Sequence, residues 1–324
     1  MKKAFLLISF IILLSCKDSE KPSVSFYYWK TIFQLSKNEK NVVRDAHVDK
    51  LYVRYFDVKN IQNKPFPVAP IHFRERPASS QIIPVVFIKN EVFLSKAINV
   101  SDLSLKIIGL IRQINQANQL TNSEIQIDCD WSLESRDTFI SFLKVLKANY
   151  HKTISTTIRL HQVKYFTQTK VPPVDYGVLM FYNMGKLKAT SSKAIYDKQI
   201  ALQYLPALKN YPLPLKVALP IFSWIVHSRK GQVVNLISKT AIDTFRKNPN
   251  FTPEEKGLTV NKDVLCRGFF FKKGDQLYGE EISGTDLEEM KAMLKDYTAK
   301  PIKEFIYYDL DEFNTNKYQN EFIF

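Results

Sequence analysis

The stretch Glu124-Ile-Gln-Ile-Asp-Cys-Asp-Trp131 decides how this chain folds. Side chains of a strand alternate between its two faces, so Ile125, Ile127 and Cys129 share one face and Gln126, Asp128 and Asp130 the other. The first face can pack on helices. The second sets two carboxylates roughly 7 Å apart along one wall. From Ser132 or Ser135 onward, Phe139, Ile140, Phe142, Leu143 and Leu146 recur at the spacing of a helix with one buried stripe. Ionisable groups where a strand gives way to a helix occupy the place at which α/β folds build their sites. The competing reading is a polar cluster that only orders the strand end. Paired acids facing a core are costly to bury, which favours a site.

The same alternation of strand and helix extends in both directions. Upstream, Val24 to Phe33 is rich in β-formers, and a short polar helix runs to about Asp49. Lys50 to Val58 is a second strand, a proline-rich loop follows through Pro65, Pro67 and Pro70, and Gln81 to Ile88 is a third strand. Asp102 to Ala117 carries Leu103, Ile107, Ile108 and Ile111 at helical spacing. Downstream, strands are expected at Thr153–Leu160, Val174–Asn183, Leu215–Trp224 and Lys303–Leu310, with helices around Ile200–Leu205 and Thr285–Tyr297. Thr285-Asp-Leu-Glu288 reads as the capping box of the last helix. Arg229 to Asp286 is too long for a plain connection and reads as a helix followed by an insertion, with Val264–Gly274 as one arm of a hairpin. Eight strands separated mostly by helical stretches predict a (β/α)8 TIM-type barrel over residues 24–312, with an insertion between strands seven and eight. A doubly wound open sheet competes, but its glycine-rich first turn is missing. Residues 313–324 read as a C-terminal tail.

Charge and composition narrow the function. The chain carries 46 basic and 32 acidic side chains, a formal net charge of +14, spread along its length and not gathered into a stripe. That distribution suits a solvated basic surface facing acidic glycans or anionic lipid better than a nucleic-acid groove. No zinc-ligand spacing, phosphate-binding loop or dinucleotide turn occurs, so neither a metal nor a cofactor is expected.

At the N-terminus, Lys2 and Lys3 precede an apolar run from Ala4 to Leu14, the length of a signal-peptide core and short for a membrane span. It ends in Leu13-Leu14-Ser15-Cys16, a pattern that resembles a bacterial lipobox. Residues 1–15 are then a signal peptide, Cys16 the lipidated first residue of the mature protein, and 16–23 a tether. An ordinary signal peptide and an uncleaved anchor are the alternatives. The implied location is the bacterial cell envelope, lipid-anchored to the membrane, with the outer membrane and its exposed surface favoured. Of the remaining cysteines, Cys129 falls on an apolar face and reads as a core residue. A Cys129–Cys266 bridge is open but not favoured.

In a barrel the site forms at the C-terminal strand ends. The candidates there are Asp57, Asp128, Asp130, Trp131, Arg159, His161, Tyr182, Asn183, Trp224 and Asp309. The three tryptophans, Trp29, Trp131 and Trp224, each lie near a strand end. Aromatic faces beside Asp, Asn and Arg are what a sugar cleft needs, because CH-rich sugar faces pack on rings while hydroxyls hydrogen-bond to polar side chains.

Ile127-Asp-Cys-Asp130 resembles the fourth-strand motif of the family 18 chitinase-like barrels, Asp-x-x-Asp-x-Asp-x-Glu. Met180-Phe-Tyr-Asn183 is similar to that family's sixth-strand motif, and Leu219-Pro220 with Phe222 and Trp224 to its seventh strand. The whole chain resembles an uncharacterised bacterial family of exported glycosidase-like barrels. The resemblance implies that Asp130 and Tyr182 hold an N-acetyl group, so Asp128, Asp130 and Tyr182 are the expected catalytic residues, while the strand-end positions of Asp57, Trp131, Arg159, Asn183 and Trp224 make them the expected glycan contacts. It also exposes a departure. Ser132 stands where the family has its catalytic glutamate, and serine cannot protonate a glycosidic oxygen at neutral pH. Glu134, Asp57 or Asp309 would have to replace it. A hydrolase of altered mechanism, a carbohydrate-binding lipoprotein and a structural lipoprotein all remain open.

Overall fold

The computed structural model describes residues 21–77, 81–189 and 193–318. The expected signal peptide, Cys16 and most of the expected tether lie outside them. Eight strands carry the architecture: β1 (Ser23–Tyr28), β2 (Lys50–Ile61), β3 (Gln81–Ile88), β4 (Glu124–Asp128), β5 (Thr153–Arg159), β6 (Tyr176–Met180), β7 (Leu215–Pro220) and β8 (Glu304–Tyr308). Each pairs in parallel with its sequence neighbours, and β1 pairs with both β8 and β2, so the sheet closes on itself. The expected barrel is the observed one.

Helices surround it: α1 (Lys37–Asp45), α2 (Val100–Ala117), α3 (Arg136–Asn149), α4 (Lys198–Tyr204), α5 (Gly284–Tyr297) and α6 (Glu312–Asn316). Local sequence explains where they start. The Asn99 side chain accepts from the Ser101 and Asp102 amides at the head of α2, and Leu103, Ile107, Ile108 and Ile111 form its buried stripe. In α3 the buried residues Phe139, Ile140, Phe142, Leu143 and Leu146 are the stripe that the spacing predicts. For α5 the capping box is Ser283 with Asp286, two residues before the expected start.

Inside the barrel, alternation layers the side chains. At the N-terminal end, Glu304 accepts from Ser25 at 2.6 Å and pairs with Lys216 at 2.7 Å. Above it, the Tyr27 hydroxyl donates to Gln126 at 2.7 Å. Higher still, Trp29, Phe87, Tyr182 and Tyr308 gather at the C-terminal mouth. The outward positions are apolar and pack under the helices, as Ile125, Ile127 and Cys129 do.

Several expectations are corrected. Strand β4 stops at Asp128, not Trp131, because the ladder ends in side-chain bonds: Thr157 Oγ1 accepts from the Cys129 amide and donates to Asp128. The proline-rich loop is instead an edge strand, Lys64–Val68, running antiparallel to the end of β2. Proline is tolerated there because an edge strand can leave its donors unused. The insertion contains no long helix. A five-stranded antiparallel sheet begins at Trp224, directly after β7, and its only helix is the single turn Asp243–Arg246. Its first hairpin turns at Lys230 and Gly231, both with positive φ, the geometry of the tight turns that match strand twist. Ile225, Phe245, Phe251, Leu258 and Phe271 give the insertion a core of its own. Val264–Cys266 and Phe269–Phe271 are both arms of a small hairpin, not one arm of a larger one. The tail is structured as far as described: α6 covers 312–316, and the Tyr318 hydroxyl donates to the Ile282 carbonyl at 2.8 Å. Cys129 and Cys266 are both free.

Candidate functional site

The C-terminal ends of the eight strands meet at one mouth, where a cleft of about 450 Å³ opens. Inward positions supply its walls: Trp29 beyond β1, Phe87 on β3, Met180 and Tyr182 at the end of β6, Phe222 and Trp224 beyond β7, and Tyr308 at the end of β8. The rings pack against one another. Tyr308 lies 5.6 Å from Trp29 and 5.7 Å from Tyr182, and Phe222 lies 5.8 Å from Tyr182 and 5.4 Å from Trp224. Polar groups enter between them: Asp128, Asp130, Arg159, Asn183, Ser223, Ser238, Lys239, Asp309 and Asn314.

The two aspartates of the β4 stretch share a direction but not an environment. Asp128 is 6% exposed and accepts a 2.7 Å hydrogen bond from Thr157. Burial, opposed by that bond and assisted by the charge of Asp130, pushes its carboxyl up to about 7. Asp128 therefore exchanges its proton near neutrality and can donate as well as accept. Asp130 lies two residues past the strand end on exposed backbone, and Arg159 Nε donates to it at 2.6 Å. At half exposure such a pair adds roughly 0–1 kcal/mol to stability, so its value is in fixing the carboxylate and guanidinium at the rim.

Tyr182 is 5% exposed, and its hydroxyl has no hydrogen-bond partner among the described residues. Burial holds the phenol protonated, well above its ordinary range. An unpaired buried hydroxyl costs free energy, on the order of 1–3 kcal/mol. Beside it, Asn183 takes a left-handed backbone at φ 55°, which asparagine tolerates better than most residues, and leaves its side chain exposed at the cleft. Trp224 Nε1 donates to Glu280 at 2.9 Å, and Glu280 also accepts from the Ile195 amide. That carboxylate ties the insertion to the segment after β6 and sets the pose of the tryptophan.

On the far rim Asp309 accepts from Asn314 Nδ2 at 2.6 Å, and burial raises its carboxyl against the pull of Lys239. Lys239 reaches from the insertion to Asp311 at 2.9 Å, and Lys30 beyond β1 lies 3.3 Å from Asp311 and pairs with Glu39 of α1. These ion pairs link α1, the strand-end loops and the insertion around one side of the mouth.

The structure thus brings Asp128, Asp130, Arg159, Tyr182, Asn183, Trp224 and Asp309 into one cleft and leaves three candidates outside its lining. Asp57 points into the barrel but is held by two nitrogens of Arg54, Nε and Nη2, each at 2.7 Å. Trp131 has the opposite parity. It is 3% exposed and stacks on Phe139 of α3, in the helix layer. His161 is exposed beyond β5. Tyr308, Phe87 and Asn314 were not singled out from sequence. Tyr308 stands at the inward parity of β8, so alternation could have found it. Lys239 and Ser238 come from the insertion and carried no signal.

The position of the missing acid is equally clear. Ser132 is half-buried outside the cleft lining; its Oγ accepts from Asn90 Nδ2 at 3.2 Å and its amide donates to Ser135 Oγ. Glu134 is exposed on the turn before α3. Among the described residues no cluster of three or more His, Cys, Asp or Glu could hold a metal ion, and no helix is long and apolar enough to cross a membrane.

No family model and no curated protein matches the chain. What the comparisons with solved structures show is the fold: a (β/α)8 barrel similar to those of chitinases and spore cortex-lytic enzymes. Among solved structures, the spore cortex-lytic enzyme SleL of Bacillus cereus superposes with a TM-score of 0.55 at 15% identity, covering 91% of this chain and 72% of that one. The chitinase of Chromobacterium violaceum gives 0.56 at 11% identity, covering 92% and 98%. A mutant class V chitinase from Nicotiana tobaccum in complex with NAG4 gives 0.53 at 9% identity, covering 92% and 99%.

Proposed function

We propose that this chain is a cell-envelope lipoprotein whose barrel mouth binds an N-acetylated glycan without cleaving it by the family 18 route. One observation carries the reading: a ring-walled cleft holds a buried tyrosine hydroxyl with no partner, at the position where the resembled family contacts the N-acetyl group. An acetamido carbonyl accepting from Tyr182 would complete it, and Asp130, held by Arg159, is poised to accept the amide N–H. Trp29, Tyr308, Phe222 and Trp224 offer faces for sugar rings. The tobacco chitinase, of the same fold, binds NAG4, which makes an N-acetylglucosamine oligomer the first ligand to try. Peptidoglycan strands are the natural second.

Hydrolysis is the second reading, and a specific observation keeps it in play. Asp128 and Asp309 both have raised carboxyls and line the cleft from β4 and from just beyond β8, which are diametrically opposed in an eight-stranded ring. A protonated acid facing an ionised carboxylate across a cleft is what both retaining and inverting pairs require, the separation of the two deciding between them. Incubating the chain with N-acetylglucosamine tetramer and with peptidoglycan strands, while measuring both binding and new reducing ends, separates the two. Binding without reducing ends is expected; turnover that disappears in Asp309→Asn would establish the second reading instead. Asp130→Asn should weaken the bound state by about 1–3 kcal/mol, the scale of a charge-assisted hydrogen bond. Anchoring is tested separately, by labelling cells with a fatty acid: Cys16→Ser should remove the label, and a variant still labelled would refute the lipobox.

A further inference from the structure

The opposite end of the barrel carries a second surface. A groove of about 490 Å³ runs between the loops that enter β7 and β8, with Leu213, Leu215 and Ile302 in its apolar lining. Lys209, Lys300 and Lys303 stand exposed along it. Of the acids nearby, Glu304 is buried against Lys216 and Asp175 is paired with Lys147, while Asp296 is exposed near the end of α5. The first strand enters at the same place, for the Ser23 amide donates to the Lys303 carbonyl at 2.9 Å. Cys16 precedes Ser23 by only a few residues, a span of at most about 25 Å.

We infer that this N-terminal end of the barrel is a docking face for an anionic phospholipid bilayer. An apolar groove rimmed by exposed lysines that form no ion pair among the described residues matches a surface of phosphate headgroups over acyl chains. A lipid on Cys16 would deliver the chain to the bilayer with this end first, since the tether leaves beside Lys303. The inference takes its direction from the anchoring reading of Cys16, while its chemistry stands on the groove alone. Its consequence for function is orientation: the glycan cleft, at the opposite end of the strands, would point away from the membrane.

The test uses the unlipidated chain from Lys17 onward, which keeps the entire closed barrel, so it does not depend on whether Cys16 is modified. Sedimentation with vesicles containing phosphatidylglycerol should carry the protein down, and pure phosphatidylcholine vesicles should not. Each basic side chain near such a surface contributes roughly fivefold, so Lys209→Glu/Lys300→Glu/Lys303→Glu, which reverses all three charges, should weaken binding by at least about a hundredfold. Because all three are exposed, the variant should fold and keep its melting temperature; high salt releasing the wild-type protein is an independent check. Equal binding to both vesicle types would overturn the inference. So would a triple variant that binds like wild type, or a dimer in solution that dissociates on the same substitutions, which would assign the face to a second copy of the chain.

Discussion

The chemistry of the mouth rests on two residues in opposite situations. Asp128 accepts a hydrogen bond from Thr157 and is pushed by burial toward its neutral form; the Tyr182 hydroxyl has no hydrogen-bond partner among the described residues. For Asp128 the sign of the pH dependence follows from its shift. The group ordinarily titrates near 3.8 and in the fold near 7, so the folded state holds the proton more tightly. The associated stability is complete below about pH 4 and is lost as pH rises through 7. Asp128→Asn, neutral throughout, should therefore be more stable than wild type above neutrality, by at most about 4 kcal/mol, with the gap closing in acid. Thermal melts at both ends of that range check it, and a variant less stable than wild type at high pH would contradict it. Tyr182→Phe removes a hydroxyl that has no hydrogen-bond partner among the described residues. It should leave the melting temperature unchanged or raised while lowering glycan affinity by about 1 kcal/mol, read by calorimetry. Asp128, Asp130 and Tyr182 were legible in the sequence because strand parity alone puts them inward. Trp131 shows the limit of such reading. An aromatic near a strand end was counted as a platform, although its odd position on the same stretch already pointed it at α3.

Among the elements, the barrel strands were the easiest to read and the insertion the hardest. Parallel strands buried on both faces form near-continuous apolar runs, and those runs stand out between amphipathic helices. The insertion is antiparallel and half exposed, and several of its strands have only three or four residues, so its pattern is too short to declare a period. Its attachment to the mouth runs through Glu280 and Lys239. Lys239 is well exposed, so Lys239→Ala should change global stability by no more than about 0–1 kcal/mol. Local order should respond more. Without that lysine, Asp309 and Asp311 lose a shared cation, and amide exchange over Trp224–Ser238 should quicken while the barrel strands stay protected. Exchange that is unchanged across that hairpin would mean that Glu280 and the packing of the rings hold the insertion by themselves.

At the scale of the molecule, a closed barrel separates its two ends, and here the ends differ in chemistry. The C-terminal mouth gathers rings and carboxyls into a cleft, and the N-terminal end gathers lysines around an apolar groove where the chain enters. Fold class was legible from the count and order of strands; the composition of the mouth was legible only in part, because residues from five separate loops and the insertion meet only after closure. The central claim, that the mouth binds an N-acetylated glycan, can be measured through the tryptophans themselves. Trp29 and Trp224 line the cleft, and Trp131 is buried away from it. Titrating the protein with N-acetylglucosamine tetramer should shift tryptophan emission saturably, with the shift kept in Trp131→Phe and lost in Trp29→Phe/Trp224→Phe. No shift in the wild-type protein, or a shift that survives in the double variant, would contradict the account.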